Sequence, residues 1–97
     1  MYHFDQPYHL IEKYGGWVSR HSIQDFVKYA ECLFEEFASK VKYWLTINEQ
    51  AVLVVASDML GIESNLSREE KLEKAYQANY HMWIAQALVY KLFRQKY

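Results

Sequence analysis

Apolar side chains recur at Ile23, Phe26, Val27, Ala30, Leu33, Phe34 and Phe37, the i, i+3, i+4, i+7 stripe of an amphipathic helix. Gln24, Lys28, Glu31, Glu35 and Glu36 fall mostly on the other face. Ser22 followed by Asp25 reads as a weak capping box at its start. Before this helix, Met1–Asp5 is short, aromatic and strand-compatible, and Pro7 ends it by disfavouring helical geometry at Gln6. Tyr8–Tyr14 then has room for one or two helical turns, stopped by Gly15-Gly16, which accept the positive φ of a helix end.

After the amphipathic helix the period changes. Val41–Ile47 (Val-Lys-Tyr-Trp-Leu-Thr-Ile) is β-branched, aromatic and nearly continuously apolar from Tyr43 on. That is the pattern of a strand covered on both faces in a parallel sheet. Strand, helix and strand in succession predict a βαβ unit and an α/β fold. A short helix over Ala51–Ser57 is the only local expectation in the mixed stretch that follows. Ser67-Arg68-Glu69-Glu70 is a full Ser-x-x-Glu capping box, opening a helix to about Gln95 without Gly or Pro inside. Its first third is a charged, solvated face. From Tyr76 onward it is apolar all round, which predicts burial of its Trp and Tyr side chains among several neighbours.

Composition adds a constraint. The 97 residues are 52% hydrophobic and 18% aromatic, which excludes a disordered chain. A domain of this length buries only roughly 60–65% of its unfolded surface, so nine Tyr, five Phe and three Trp are a heavy load to hide. The net charge of -1 provides no electrostatic footprint for nucleic acid or an anionic membrane surface. No uncharged run reaches the ~20 residues of a membrane span, and no cationic region followed by an apolar one opens the chain. With Cys32 alone, no intrachain disulfide or thiolate zinc site can form. A cytoplasmic location is the expectation.

Glu49 carries the most suggestive chemistry. It follows Asn48 at the end of the apolar strand, where parallel α/β folds place their ligand sites. Partly shielded from water by Tyr43 and Trp44, its carboxyl would serve as a general acid. The alternative is a solvent-facing residue at a helix start, favoured by the helix dipole. His3, near Asp5 at the end of the first strand, is either a hydrogen-bonding group in a pocket or a satisfied, partly buried histidine. His3, His9, His21 and His81 lack ligand spacing, so no metal is expected. No glycine-rich phosphate loop or Ser or Cys nucleophile signature occurs.

Three motifs in register resemble glycoside hydrolase family 1: Tyr2-His3-Phe4-Asp5-Gln6-Pro7, Tyr14-Gly15-Gly16-Trp17 and Lys42-Tyr43-Trp44-Leu45-Thr46-Ile47-Asn48-Glu49. The likeness continues more weakly through Tyr76–Tyr90. Gln50, where many β-glucosidases carry proline, and Phe4, where many have Trp, are most similar to the bacterial 6-phospho-β-glucosidases. The resemblance implies a retaining glycosidase on a (β/α)8 TIM barrel, needing no cofactor and acting on phosphorylated β-glucosides imported by a sugar phosphotransferase system. Carried over residue by residue, Glu49 matches the general acid/base, Asn48 the neighbour that binds the sugar 2-hydroxyl, and His3 a substrate-binding histidine. Tyr80 departs from the family pattern, standing where a histidine is frequent.

A (β/α)8 barrel takes about 250 residues, and the family's Glu-Asn-Gly nucleophile motif does not occur here. The expectation is therefore a helix-rich, partial barrel of about two βα units over residues 1–97. It holds the third strand's end, a helix, the fourth strand, a loop and a long helix. Such a piece would be inactive alone and would associate with copies of itself through uncovered barrel faces. The other readings are a piece of a plain β-glucosidase or β-galactosidase, and a non-catalytic helical interaction module.

Overall fold

The computed structural model describes residues 1–97. Helix α1 (Tyr8–Tyr14) ends at Gly15, whose φ of 88° lets its N–H turn back to the carbonyls of Ile11 and Leu10. A 3-10 turn (Gly16–Val18) leads into α2 (His21–Phe37). After an extended segment come α3 (Val52–Val55), a second 3-10 turn (Ser57–Leu60) and the 29-residue α4 (Arg68–Lys96). At 1.5 Å per residue α4 is about 43 Å long, which accounts for the 46 × 24 × 18 Å extent of the molecule. No helix is long and apolar enough to cross a membrane.

Both halves of the Ser67 box are made: the hydroxyl accepts from the Glu70 N–H at 3.1 Å, and the Glu70 carboxylate accepts from the Ser67 N–H at 3.0 Å. The Ser22–Asp25 box is not formed. Arg20 is the N-cap of α2 and gives no side-chain cap. Ser22 instead donates to the Gly16 carbonyl at 2.5 Å, and Asp25 accepts the Tyr14 hydroxyl. Both side chains point back at the preceding turn, and a bond there satisfies a polar group that would otherwise be buried.

α2 lies along α4 and buries Ile23, Phe26, Ala30 and Phe34 against it; Phe37, the end of the expected stripe, is exposed. Ala75, Ala78, Met82, Ala85 and Val89 are the buried residues of α4, in one core with Trp17, Leu53, Leu60 and Ile62 as well as the α2 residues. At their crossing Trp17 is 1% exposed, its ring packed edge-on to Tyr2 at 5.6 Å and tilted against Phe26 at 5.4 Å. His81 joins α4 to the same turn through a 2.8 Å bond from Nδ1 to the Trp17 carbonyl. A carbonyl only accepts, so Nδ1 carries the proton.

The two expected strands are reduced to one parallel bridge, Tyr2 with Ile47. The Tyr2 N–H donates to Thr46 O at 2.8 Å, and the Asn48 N–H to Tyr2 O at 3.0 Å. Upstream of Leu45 the backbone leaves the ladder. Lys40 and Val41 bond to Phe37 at the end of α2, and the Trp44 indole donates to the Val41 carbonyl. With Tyr2 as its one β partner, the segment forms no extended ladder, and in place of the expected α/β architecture the chain shows helices packed around a single β-contact.

Coverage on both faces is also absent. Tyr43 is 82% and Leu45 86% exposed. On α4 the aromatics expected in the core lie outside it: Trp83 is 62% and Tyr90 65% exposed, while the alanines face inward. An open groove of about 520 Å³ runs between Tyr43, Trp44 and Thr46 on one side and Trp83, Gln86 and Tyr90 on the other.

Replacing Met82 with Ala should lower the unfolding free energy by about 2–5 kcal/mol, measured by urea denaturation; a loss below about 1 kcal/mol would remove Met82 from the core. The exposed aromatic face should also drive self-association. Light scattering at micromolar concentration is expected to give a mass above the 11.7 kDa of one chain, and a clean monomer contradicts it.

Candidate functional site

The parallel bridge determines where the candidate residues sit. Because Tyr2 pairs with Ile47, the next residue on each side, His3 and Asn48, comes into register at the carboxyl end of the contact. Glu49 follows. The structure thus brings His3, Asn48 and Glu49 to one edge, although 45 positions separate His3 from Asn48 in the chain.

The backbone is unusual at this edge. Phe4 (φ 70°) and Glu49 (φ 40°) are the only non-glycine residues with positive φ. Each costs about 1–2 kcal/mol relative to ordinary geometry, and such strain concentrates at functional sites. At Phe4 the turn is held by Asp5, whose carboxylate accepts the His3 N–H at 3.0 Å. The His3 imidazole stays exposed, edge-on to Phe4 at 5.2 Å. Glu49 starts the turn into α3: its carbonyl accepts from the Val52 N–H at 3.0 Å.

Glu49 is open to solvent and Asn48 half-buried. The shielding expected from Tyr43 and Trp44 is not present. Tyr43 projects outward beside Lys42, and Trp44 turns onto Phe34 at 5.1 Å between ring centres. With Tyr43 facing water and Trp44 packed on Phe34, neither ring walls the Glu49 carboxyl.

Sequence reasoning missed the residues that flank Glu49. Thr46 Oγ1 donates to Gln86 Oε1 at 2.9 Å, the Gln86 amide donates to Gln50 Oε1, and Gln50 Nε2 donates to Asn79 Oδ1 at 2.7 Å and to the Asn79 carbonyl at 3.0 Å. Asn79 and Gln86 are seven apart on α4, hence on one face. That spacing was the available signal, but two amides in a helix do not stand out by type.

A separate cavity of about 250 Å³ opens beside Tyr2, Gln6, Trp17 and Tyr29. The Trp17 Nε1 and Gln6 Oε1 atoms are buried without partners, but His3, Asn48 and Glu49 do not line this cavity. No group of three or more His, Cys, Asp or Glu side chains is disposed to hold a metal ion.

A family model described as "Glycosyl hydrolase family 1" matches residues 1–97. The chain belongs to glycosyl hydrolase family 1. It is 34% identical to "Beta-glucosidase 3" of Arabidopsis thaliana over 100% of this chain and 21% of that protein. It is 38% identical to "Aryl-phospho-beta-D-glucosidase BglH" of Bacillus subtilis (strain 168) over 92% of this chain and 19% of that protein. The crystal structure of a rice Os3BGlu6 β-glucosidase superposes with a TM-score of 0.84 at 32% identity, covering 100% of this chain and 22% of that one. A mutant of the rice enzyme, in a covalent complex with Glc from GA4GE, gives 0.83 at 31% identity, again over 100% of this chain and 22% of that one. The chain spans about a fifth of the length of the curated relatives it matches.

Around the bridge, two phenols are shifted. Burial pushes Tyr2 up to about 12, with the nearby Asp5 carboxylate adding to the rise. Tyr14 is also raised to about 12, first by burial and then by its bond to Asp25. Because the folded values lie above the ordinary 10, the protonated forms stabilise the fold. That contribution is complete below pH 10 and drains away as pH rises from 10 to 12. Ultraviolet titration should show Tyr2 and Tyr14 ionising well above pH 10, with thermal stability falling over that window. Nine tyrosines ionising together near pH 10 in a still-folded chain would refute it.

Proposed function

We propose that this chain carries the acid/base side of a retaining glycosidase site, with Glu49 as general acid/base and His3 and Asn48 as sugar-binding residues. The observation that carries the reading is the Tyr2–Ile47 bridge, which sets these three side by side in a chain of glycosyl hydrolase family 1. In a retaining mechanism one carboxylic acid protonates the leaving oxygen while a second carboxylate, about 5–5.5 Å away, attacks the sugar; the first group then deprotonates the incoming water. The covalent Glc complex of the rice relative supports the two-step form. Glu49, exposed at the end of the bridge, is accessible for both proton transfers. Asn48 beside it is placed to hold a hydroxyl next to the bond being broken.

The substrate class is a 6-phospho-β-D-glucoside. Gln50, Phe4 and the 38% identity to the Bacillus aryl-phospho-β-D-glucosidase support this, and a phosphorylated substrate implies a cytoplasmic enzyme. The Arabidopsis and rice relatives support a second reading, a plain β-glucosidase. On either reading the isolated chain is inactive, because it holds one member of the carboxylate pair.

A graft tests the site. Residues 1–97 replace the matched segment of the Bacillus relative, and aryl 6-phospho-β-glucoside hydrolysis is followed. Glu49→Gln should lower kcat by roughly 10²–10⁴-fold; unchanged turnover would remove Glu49 from the chemistry. The isolated chain should release no product above background, and turnover there that Glu49→Gln abolishes would overturn the half-site reading. In its full-length context the protein should prefer the phosphorylated glycoside, and the opposite preference selects the β-glucosidase reading.

A further inference from the structure

We propose that Gln50, Asn79 and Gln86 form an amide clamp whose task is to hold Asn48 and Glu49 in position against α4. The proposal rests on reading Asn48-Glu49 as the site. The clamp grips the site from both sides: Thr46, two residues before Asn48, bonds to Gln86, and Gln50, directly after Glu49, bonds to both Gln86 and Asn79.

Three features make this a positioning device rather than incidental packing. Gln50 uses its whole amide, its oxygen accepting from Gln86 and its nitrogen donating twice to Asn79. The bonds are partly buried, where competition from water is weaker and each is worth more than at the surface. They also flank, along the chain, Glu49, whose φ of 40° is held by no side-chain bond of its own. A strained residue relaxes unless its surroundings over-determine it, and the ties on either flank supply that constraint. α4 provides a rigid base, anchored independently by His81 on the Trp17 carbonyl and by Phe93 on Phe34 of α2. Asn79, Gln50 and Gln86 act through Glu49 and Asn48; they are positioning residues, not catalytic ones.

The test uses the isolated chain and does not depend on hydrolysis. Met fills the volume of Gln without forming these bonds. In Gln86→Met the amides of Asn48 and Val52, bonded to Tyr2 O and Glu49 O, should exchange with deuterium about tenfold faster, matching the loss of roughly one net hydrogen bond. Amides within α2 should be unchanged, and Glu49 should show altered backbone shifts and line broadening. Gln50→Met, at the other end, should reproduce the pattern, and it serves alone if Gln86→Met does not fold. Wild-type exchange and shifts at Asn48, Glu49 and Val52 in a folded Met variant would overturn the clamp. In the graft, Gln50→Met should lower kcat several-fold more than it changes KM, whereas equal kcat would deny the clamp a positioning role. The effect of Glu49→Gln on hydrolysis is read separately, so failure of the site assignment and failure of the clamp are distinguishable.

Discussion

The enclosure of Trp17 is the contact on which the other elements depend. Its ring is held between Tyr2 and Phe26, and its carbonyl takes the buried His81 bond from the middle of α4. One residue thereby joins the N-terminal segment, α2 and the long helix. Tyr2 is fixed by that packing, and Tyr2 is also one half of the only β-bridge. The placement of His3 opposite Asn48 thus follows from a tryptophan that touches neither. Burying a Trp of this size stabilises by a few kcal/mol through apolar area alone, a large share of what a small domain has available.

The molecule has an inner and an outer character that differ sharply. Inside, one core joins Ile23, Phe26 and Phe34 of α2 with the alanines, Met82 and Val89 of α4. Outside, Tyr43, Trp83 and Tyr90 face water around an open groove, and Leu45 is exposed beside it in the chain. A stable monomer seldom shows so much contiguous apolar surface. The site is divided in the same way. Its backbone is placed by the bridge, the Glu49–Val52 turn and the Gln50 bonds, while the Glu49 carboxyl itself is unenclosed. On the proposed reading as a general acid/base, that carboxyl would change protonation twice per turnover, and a second wall around it is what would exclude water.

The helices were legible in the residues, and so was the edge on which the functional reading rests. The Ser67 box, the Gly15 stop and the Ile23–Phe34 stripe are local signals, written within one or two turns of chain, and they formed as expected. The Ser22–Asp25 box failed because each side chain had a better partner from a preceding turn, Gly16 for one and Tyr14 for the other. The Val41–Ile47 strand failed because strand geometry is not local: it requires neighbours along its length, and here only Tyr2 pairs with it. The aromatics of α4 were misplaced for a related reason. A helix that is apolar all round does not declare its inner face; here Ala75, Ala78 and Ala85 turn inward, and Trp83 and Tyr90 outward.

The sequence by itself determined the end of α1, the capping of α4, the family motifs and the succession of Asn48 and Glu49 at the end of an apolar segment. Those properties depend on residues within a few positions of one another, where propensity and pattern act directly. The Ser22 cap and the Ala51–Ser57 helix, seen only over Val52–Val55, were not fixed by it. Only the tertiary structure decided that His3 stands in register with Asn48, that Glu49 takes a positive φ, and that Gln50 is tied to Asn79 and Gln86. The register and the amide bonds join segments 29 to 45 positions apart. Such contacts exist only after the chain has met the entropy of bringing distant segments together, which here rests on the burial of Trp17 between α2 and α4.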